Sequence, residues 1–146
     1  MCWVAKRCRN YKHLLLFKNA CLPLKSNYEE SKYKIYFHDN GLLMASLDEE
    51  SSEDLRKNKN FGTFKGAIYE NLVAQMLKSS GFDLYYYKKE NSQLEMDFFV
   101  RTSESLIPVE VKAKEWATIS LNNLITHQTY NDVKFVIKLS QKKYRF

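Results

Sequence analysis

Glu110 and Lys112 interrupt an otherwise apolar run, IPVEVKA at 107–113. Side chains two apart on a strand share a face, so these two stand together while Val109 and Val111 fill the opposite face. In the preceding run, QLEMDFFVR at 93–101, the same alternation sets Glu95, Asp97 and Phe99 on one face and Met96, Phe98 and Val100 on the other. Pairing through the short TSES connection brings Asp97 near Glu110. Two carboxylates held close raise each other's pKa unless a cation offsets them. A divalent metal supplies that cation, with hard oxygen donors from Asp97, Glu110 and the carbonyl of Val111. Lys112 then holds or polarises the water that the metal makes nucleophilic, and a phosphodiester is the natural target.

A third acid comes from the best helical stretch, KGAIYENLVAQMLKSS at 65–80. Ile68, Leu72 and Met76 form one apolar row, and Tyr69, Val73 and Leu77 the next. Glu70 lies at the border of that arc, where it either reaches the rim of a sheet as a further carboxylate or snorkels to water. The acid-x-Lys triplet is weak evidence alone, because ESK at 30–32 and DVK at 132–134 also match it. Only Glu110-Val111-Lys112 follows an acid-bearing strand at hairpin distance. Its plain alternative is an ion pair on the wet face of an antiparallel sheet.

These residues need elements to hold them. Gly81 stands at the C′ position of the helix. Three strand-like runs follow, FDLYYYKK, QLEMDFFVR and LIPVEVKA, joined by short polar connections that favour hairpins or a meander. WATISLNNLITHQTY at 116–130 carries a weaker helical pattern, and VKFVIKLS at 133–140 reads as a strand. The order from Lys65 is therefore helix, three strands, helix, strand, which suits an α/β or α+β sheet flanked by helices. Upstream, KYKIYFHD alternates as a strand and LLMASL suits a short helix. DEESSEDLRKNKN at 48–60 has no apolar face and reads as a surface loop, with room for one solvated helical turn. YKHLLLF at 11–17 fits a turn of helix or a short strand.

The chain has 146 residues, enough for one domain and too few for a second independent core. Residues 1–34 hold eight Lys/Arg against two Glu and so account for the whole net charge of +6; the remainder is neutral. A basic lead segment brings a chain to nucleic acid or an acidic partner, or is simply a solvated terminus. Cys2, Cys8 and Cys21 show no metal-ligand spacing and no even pairing, which fits free thiols in a reducing cytosol. HLLLF, the longest candidate membrane segment, is far below the roughly 20 residues of a spanning helix. The expectation is a soluble, cytoplasmic protein without membrane contact. Neither GxxxxGK[ST] nor GxGxxG occurs, so no nucleotide is bound by either device.

Glu70, then Asp97, then the EVK triplet resembles the PD-(D/E)xK nuclease superfamily. KYKIYFHDNGLL, GAIYENLVAQML, LEMDFFV and IPVEVKA together look like the C-terminal domain of unknown function of bacterial and archaeal AAA-type ATPases, over about Ser31 to Ser140. The resemblance implies an α/β, restriction-endonuclease-like αβββαβ core with a mixed sheet flanked by helices. It implies catalytic roles for Glu70, Asp97, Glu110 and Lys112, with Mg²⁺ or Mn²⁺ held by Asp97, Glu110 and Glu70. Gln128 is similar to a glutamine on the following helix of some members, and Glu95 recurs in the ExDF block without a definite role. The expected organisation is a basic lead segment at 1–32, the remnant of a preceding module, and a nuclease-like domain at 33–146 with its core at about 65–140. The implied function is metal-dependent hydrolysis of DNA phosphodiesters, without the ATPase module. The alternative is a catalytically silent module of the same fold that binds DNA, a AAA-type ATPase or another copy of itself; a net-neutral chain from Ile35 onward favours it.

Overall fold

The computed structural model describes residues 11–17, 27–57, 59, 61–89, 94–112, 122, 124, 126 and 132–140. Cys2, Cys8, Cys21, Gln128 and most of the helix expected at 116–130 lie outside them; Asn122, Leu124 and Thr126 of that stretch are helical.

A six-stranded mixed sheet organises the chain. Strands β1 (Tyr11–Phe17) and β2 (Tyr28–Phe37) precede three helices, α1 (Asn40–Ala45), α2 (Glu49–Arg56) and α3 (Phe61–Ser79). Strands β3 (Leu84–Lys88), β4 (Glu95–Arg101) and β5 (Leu106–Lys112) then run as an antiparallel meander, and β6 (Ile137–Ser140) returns parallel to β5. The spatial order is β2-β1-β3-β4-β5-β6, with β1 parallel to β3. The boundary expected at 32 falls inside β2, and β1 lies wholly before it within the same sheet.

Both faces of the meander are covered, which is why its strands read as near-continuous apolar runs. On the α3 face, Val73 and Ala74 meet Leu84, Tyr86, Phe98, Val100, Ile107, Val109 and Val111. On the other face, Tyr87, Leu94, Met96, Phe99 and Leu106 pack with Leu124. The β5–β6 ladder begins at Val109, just beyond Pro108, which has no N–H to give.

Helix α3 starts at Phe61, a turn earlier than the apolar period indicates. It ends in a Schellman motif: Phe82 N–H donates to Leu77 O, Gly81 N–H donates to Lys78 O, and Gly81 takes φ 88°. Of its two apolar rows, Tyr69, Val73 and Leu77 join the core, whereas Leu72 and Met76 stay exposed. Residues 49–56, expected as loop, form the eight-residue helix α2. Asp48 caps it by accepting from Ser51 N–H, Glu49 and Glu50 complement its N-terminus and Arg56 its C-terminus. One buried residue, Leu55, is enough to dock it, so the lack of an apolar stripe misleads there. Among the described residues no helix is long and apolar enough to cross a membrane.

Candidate functional site

The site is built around a break in strand alternation. Tyr85 pairs with Phe99 and Tyr87 with Met96, so β4 carries one residue more than β3 between those pairs. This bulge sets Asp97 and Phe98 together across from Tyr86. Phe98 joins the α3-face core, while Met96 and Phe99 both join the opposite one. Strict alternation would put Asp97 with Phe99 and Glu110; the extra residue moves it to the α3 face instead. Glu110, flanked by Val109 and Val111 of the α3-face core, belongs by alternation to the other face.

The hairpin nevertheless keeps the two acids close along the chain. Phe98 pairs with Val109, and beyond that pair, one residue on in β4 and two in β5, Asp97 Oδ2 accepts from Val111 N–H at 2.8 Å. The carboxylate thus takes the place of a ladder carbonyl where the β4–β5 pairing ends. Burial raises the Asp97 pKa first of all, against the Val111 N–H and the charges of Lys34 and Lys112, which lower it.

Glu70, from α3, turns inward. Tyr36 Oη donates to Glu70 Oε2 at 3.0 Å, and burial followed by the charge of Asp97 pushes the Glu70 pKa up, with Lys34, Tyr36 and Lys112 opposing. The next residue, Asn71, is buried, accepts from Phe37 N–H at 2.7 Å and donates to Asn40 Oδ1 at 2.8 Å. Two bonds therefore lock this turn of α3 onto the end of β2 and onto α1.

Lys34 and Tyr36, two apart on β2, are the residues that sequence reasoning missed. Lys34 Nζ lies 2.8 Å from Glu95 Oε1 and 5.2 Å from the centre of the Tyr86 ring. Burial works to lower its pKa, but Glu95, Glu70 and Asp97 outweigh that and hold it raised. Glu95, left without a role above, is the shared partner of Lys34 and Lys88; burial would raise its pKa, and the two lysines bring it below the usual range. Tyr36 packs on Phe98 with ring centres 5.4 Å apart, and burial, then Glu70, drives its hydroxyl pKa up. The available signal was the i, i+2 spacing of Lys34 and Tyr36 in KYKIYF.

Glu110 is only 2% exposed. Its Oε1 pairs with Lys112 Nζ at 3.1 Å, and its Oε2 is buried with no hydrogen-bond partner among the described residues. Lys112 joins the two faces: it pairs with Glu110 and its charge lowers the pKa of Glu70 and Asp97. Of the four residues expected to be catalytic, Glu70 and Asp97 thus share one electrostatic cluster on the α3 face, Glu110 belongs to the other face, and Lys112 is linked to both. Among the described residues, no group of three or more His, Cys, Asp or Glu side chains is close enough to form a metal cage.

Residues 65–146 match the family model described as a domain of unknown function, DUF4143. No curated protein and no solved structure gives a match. The matched stretch opens within α3 and contains Glu70, Asp97, Glu110 and Lys112, while Lys34 and Tyr36 lie ahead of it. The chain therefore belongs to the DUF4143 family, whose domains sit in AAA-ATPase-associated proteins.

Proposed function

We propose that this chain is a nuclease-like domain of the PD-(D/E)xK type that hydrolyses DNA phosphodiesters with a divalent metal. The observation that carries the proposal is Glu110: a buried carboxylate oxygen with no donor among the described residues lacks the partner such groups have in settled cores. Each carboxylate has hard oxygens left for a cation, although among the described residues no three acids stand close enough to form a cage. Asp97 gives one oxygen to Val111 N–H and keeps the other, Glu70 gives one to Tyr36 and keeps the other, and Glu110 keeps Oε2. Asp97 and Glu110, with Glu70 as the third acid, are the residues that would hold Mg²⁺ or Mn²⁺, and the ion would supply a water of lowered pKa and neutralise phosphate charge. Lys112, with its side chain 38% exposed and paired to Glu110, is placed to orient that water or to steady the phosphate oxygens. The fold implied is the restriction-endonuclease-like core, for which the α3-β3-β4-β5 succession and the parallel β6 are the support. Such a domain works in the cytoplasm.

A second reading, a catalytically silent module of the same fold that binds DNA, a AAA-type ATPase or another copy of itself, has its own support. The bulge turns Asp97 and Glu110 to different faces, and the charges of Lys34 and Lys112 offset part of the burial of Glu70 and Asp97. One assay separates the two. Mn²⁺-dependent cleavage of single-stranded, duplex and branched DNA is expected from the native chain and absent from Asp97→Ala and Lys112→Ala. Equal background from all three proteins rules out the nuclease. Salt-dependent DNA binding that persists in both variants then selects the silent module.

A further inference from the structure

Beside Lys112 the structure has a slot of about 150 Å³, walled by Tyr69, Leu72 and Val73 of α3 and by Val111 and Leu139 of β5 and β6. Val111 and Leu139 are register partners, so the floor is two adjacent strands and the lip is an exposed edge of the helix. Apart from Lys112 and Ser140 at its rim, the walls are apolar. None of the proposed catalytic chemistry uses this space.

The geometry points to a pocket for one unpaired base of single-stranded DNA, next to the phosphate that Lys112 faces. An apolar, aromatic-walled slot with one cation at its mouth matches a nucleotide whose base is turned out of a stack. The flat base is sequestered against Tyr69 and the aliphatic wall, while the backbone charge stays at the ammonium. A base within a duplex cannot enter without leaving its stack. The slot adjoins the candidate site through Lys112, whose charge bears on the α3-face acids Glu70 and Asp97, so the captured base is the neighbour of the phosphate brought to that face. The partner is thereby a single strand or a frayed end. The inference rests on the DNA-directed reading of the same site, and deepens it by naming the form of DNA.

Binding measured in EDTA, where nothing is cut, tests it. Fluorescence anisotropy with a labelled oligo-dT, an abasic strand of the same length and a hairpin duplex should rank oligo-dT tightest, by about tenfold over the other two. Leu72→Glu and Leu139→Glu, on opposite walls and both exposed in the native chain, should erase that preference with the melting temperature unchanged. Equal affinity for the three ligands, undiminished preference in both variants, or no binding at any salt concentration each overturns the inference. Single-strand preference without Mn²⁺-dependent cleavage keeps the slot and removes the nuclease; duplex cleavage undisturbed by Leu72→Glu does the reverse.

Discussion

Asp97 and Glu110 are buried carboxylates at the same end of one hairpin, and they differ in what meets them. Asp97 caps the backbone of Val111 and sits in the field of Lys34 and Lys112 on the α3 face. Glu110 has a single lysine and an oxygen with no donor among the described residues. The cause is one extra residue in β4, which turns Asp97 toward α3 while β5 keeps its alternation. An acid that replaces a missing ladder carbonyl has a structural role of its own. An acid buried without full compensation detracts from stability, and function is the simplest reason to keep it.

The largest effects come from the rings on either side of the bulge. Phe98 and Phe99 are both fully buried, so Phe98→Ala and Phe99→Ala should each cost about 3–5 kcal/mol by urea unfolding. Their consequences for the site should differ. Phe98 supports Tyr36 and through it Glu70, while Phe99 faces Tyr87 at a ring distance of 6.2 Å on the other face. Loss of the Tyr36–Glu70 hydroxyl proton signal in NMR spectra of Phe98→Ala, and its survival in Phe99→Ala, is the expected outcome. The same loss in both would show that the two faces are not independent.

Next in size is the contrast between the acids themselves. Asp97→Ala leaves Val111 N–H buried without an acceptor and should cost about 1–3 kcal/mol. Glu110→Met removes an incompletely matched charge, frees Lys112 to be solvated, and should leave stability unchanged or raise it by up to about 2 kcal/mol. A loss from Glu110→Met as large as that from Asp97→Ala would mean that Glu110 has a stabilising partner.

This contrast also marks how far the sequence could be read. The meander, the helix before it and its glycine stop were legible because periods of two and 3.6 and a C′ glycine are local signals. So was the pairing of Glu110 with Lys112. The bulge was not, because nothing in LEMDFFVR distinguishes an alternating strand from one that slips a residue opposite Tyr86; the slip is settled by which rings fill which core. Lys34 and Tyr36 were hidden for a similar reason. Their role depends on β2 and α3 meeting across 34 residues of chain, where Tyr36 Oη finds Glu70. Helix α2 went unread because capping and end charges, with one buried leucine, suffice where periodicity is absent.

Titration offers a finer test of the α3-face cluster. Glu70 and Asp97 have folded pKa values raised above 4.5 and 3.8, so the native state holds protons that the unfolded chain has released. Each acid therefore detracts progressively from stability as pH rises from its ordinary value through its raised one. Glu95 has the opposite sign: depressed below 4.5, it contributes stability that is present above that pH and lost as pH falls through its folded pKa. Urea midpoints followed upward from pH 4 should decline less steeply in Asp97→Asn/Glu70→Gln than in the native chain, since asparagine still accepts from Val111 N–H. An unaltered slope would locate the pH dependence elsewhere.

The smallest effect distinguishes the two lysines that share Glu95. Lys88 Nζ lies 3.1 Å from Glu95 Oε2 with its side chain 59% exposed, an ordinary surface pair. Lys88→Ala should cost about 0.2–1 kcal/mol, and high salt should erase the difference because exposed charges are screened. Lys34 is 2.8 Å from Glu95 Oε1 with its side chain 25% exposed, and its charge also bears on Glu70 and Asp97. Lys34→Met removes compensation from three carboxylates at once, in surroundings that salt reaches poorly. Its cost should exceed that of Lys88→Ala and persist in high salt. Equal, salt-erased costs would reduce Lys34 to another surface partner of Glu95, and the α3-face cluster would then rest on Tyr36, Val111 N–H and Lys112 alone.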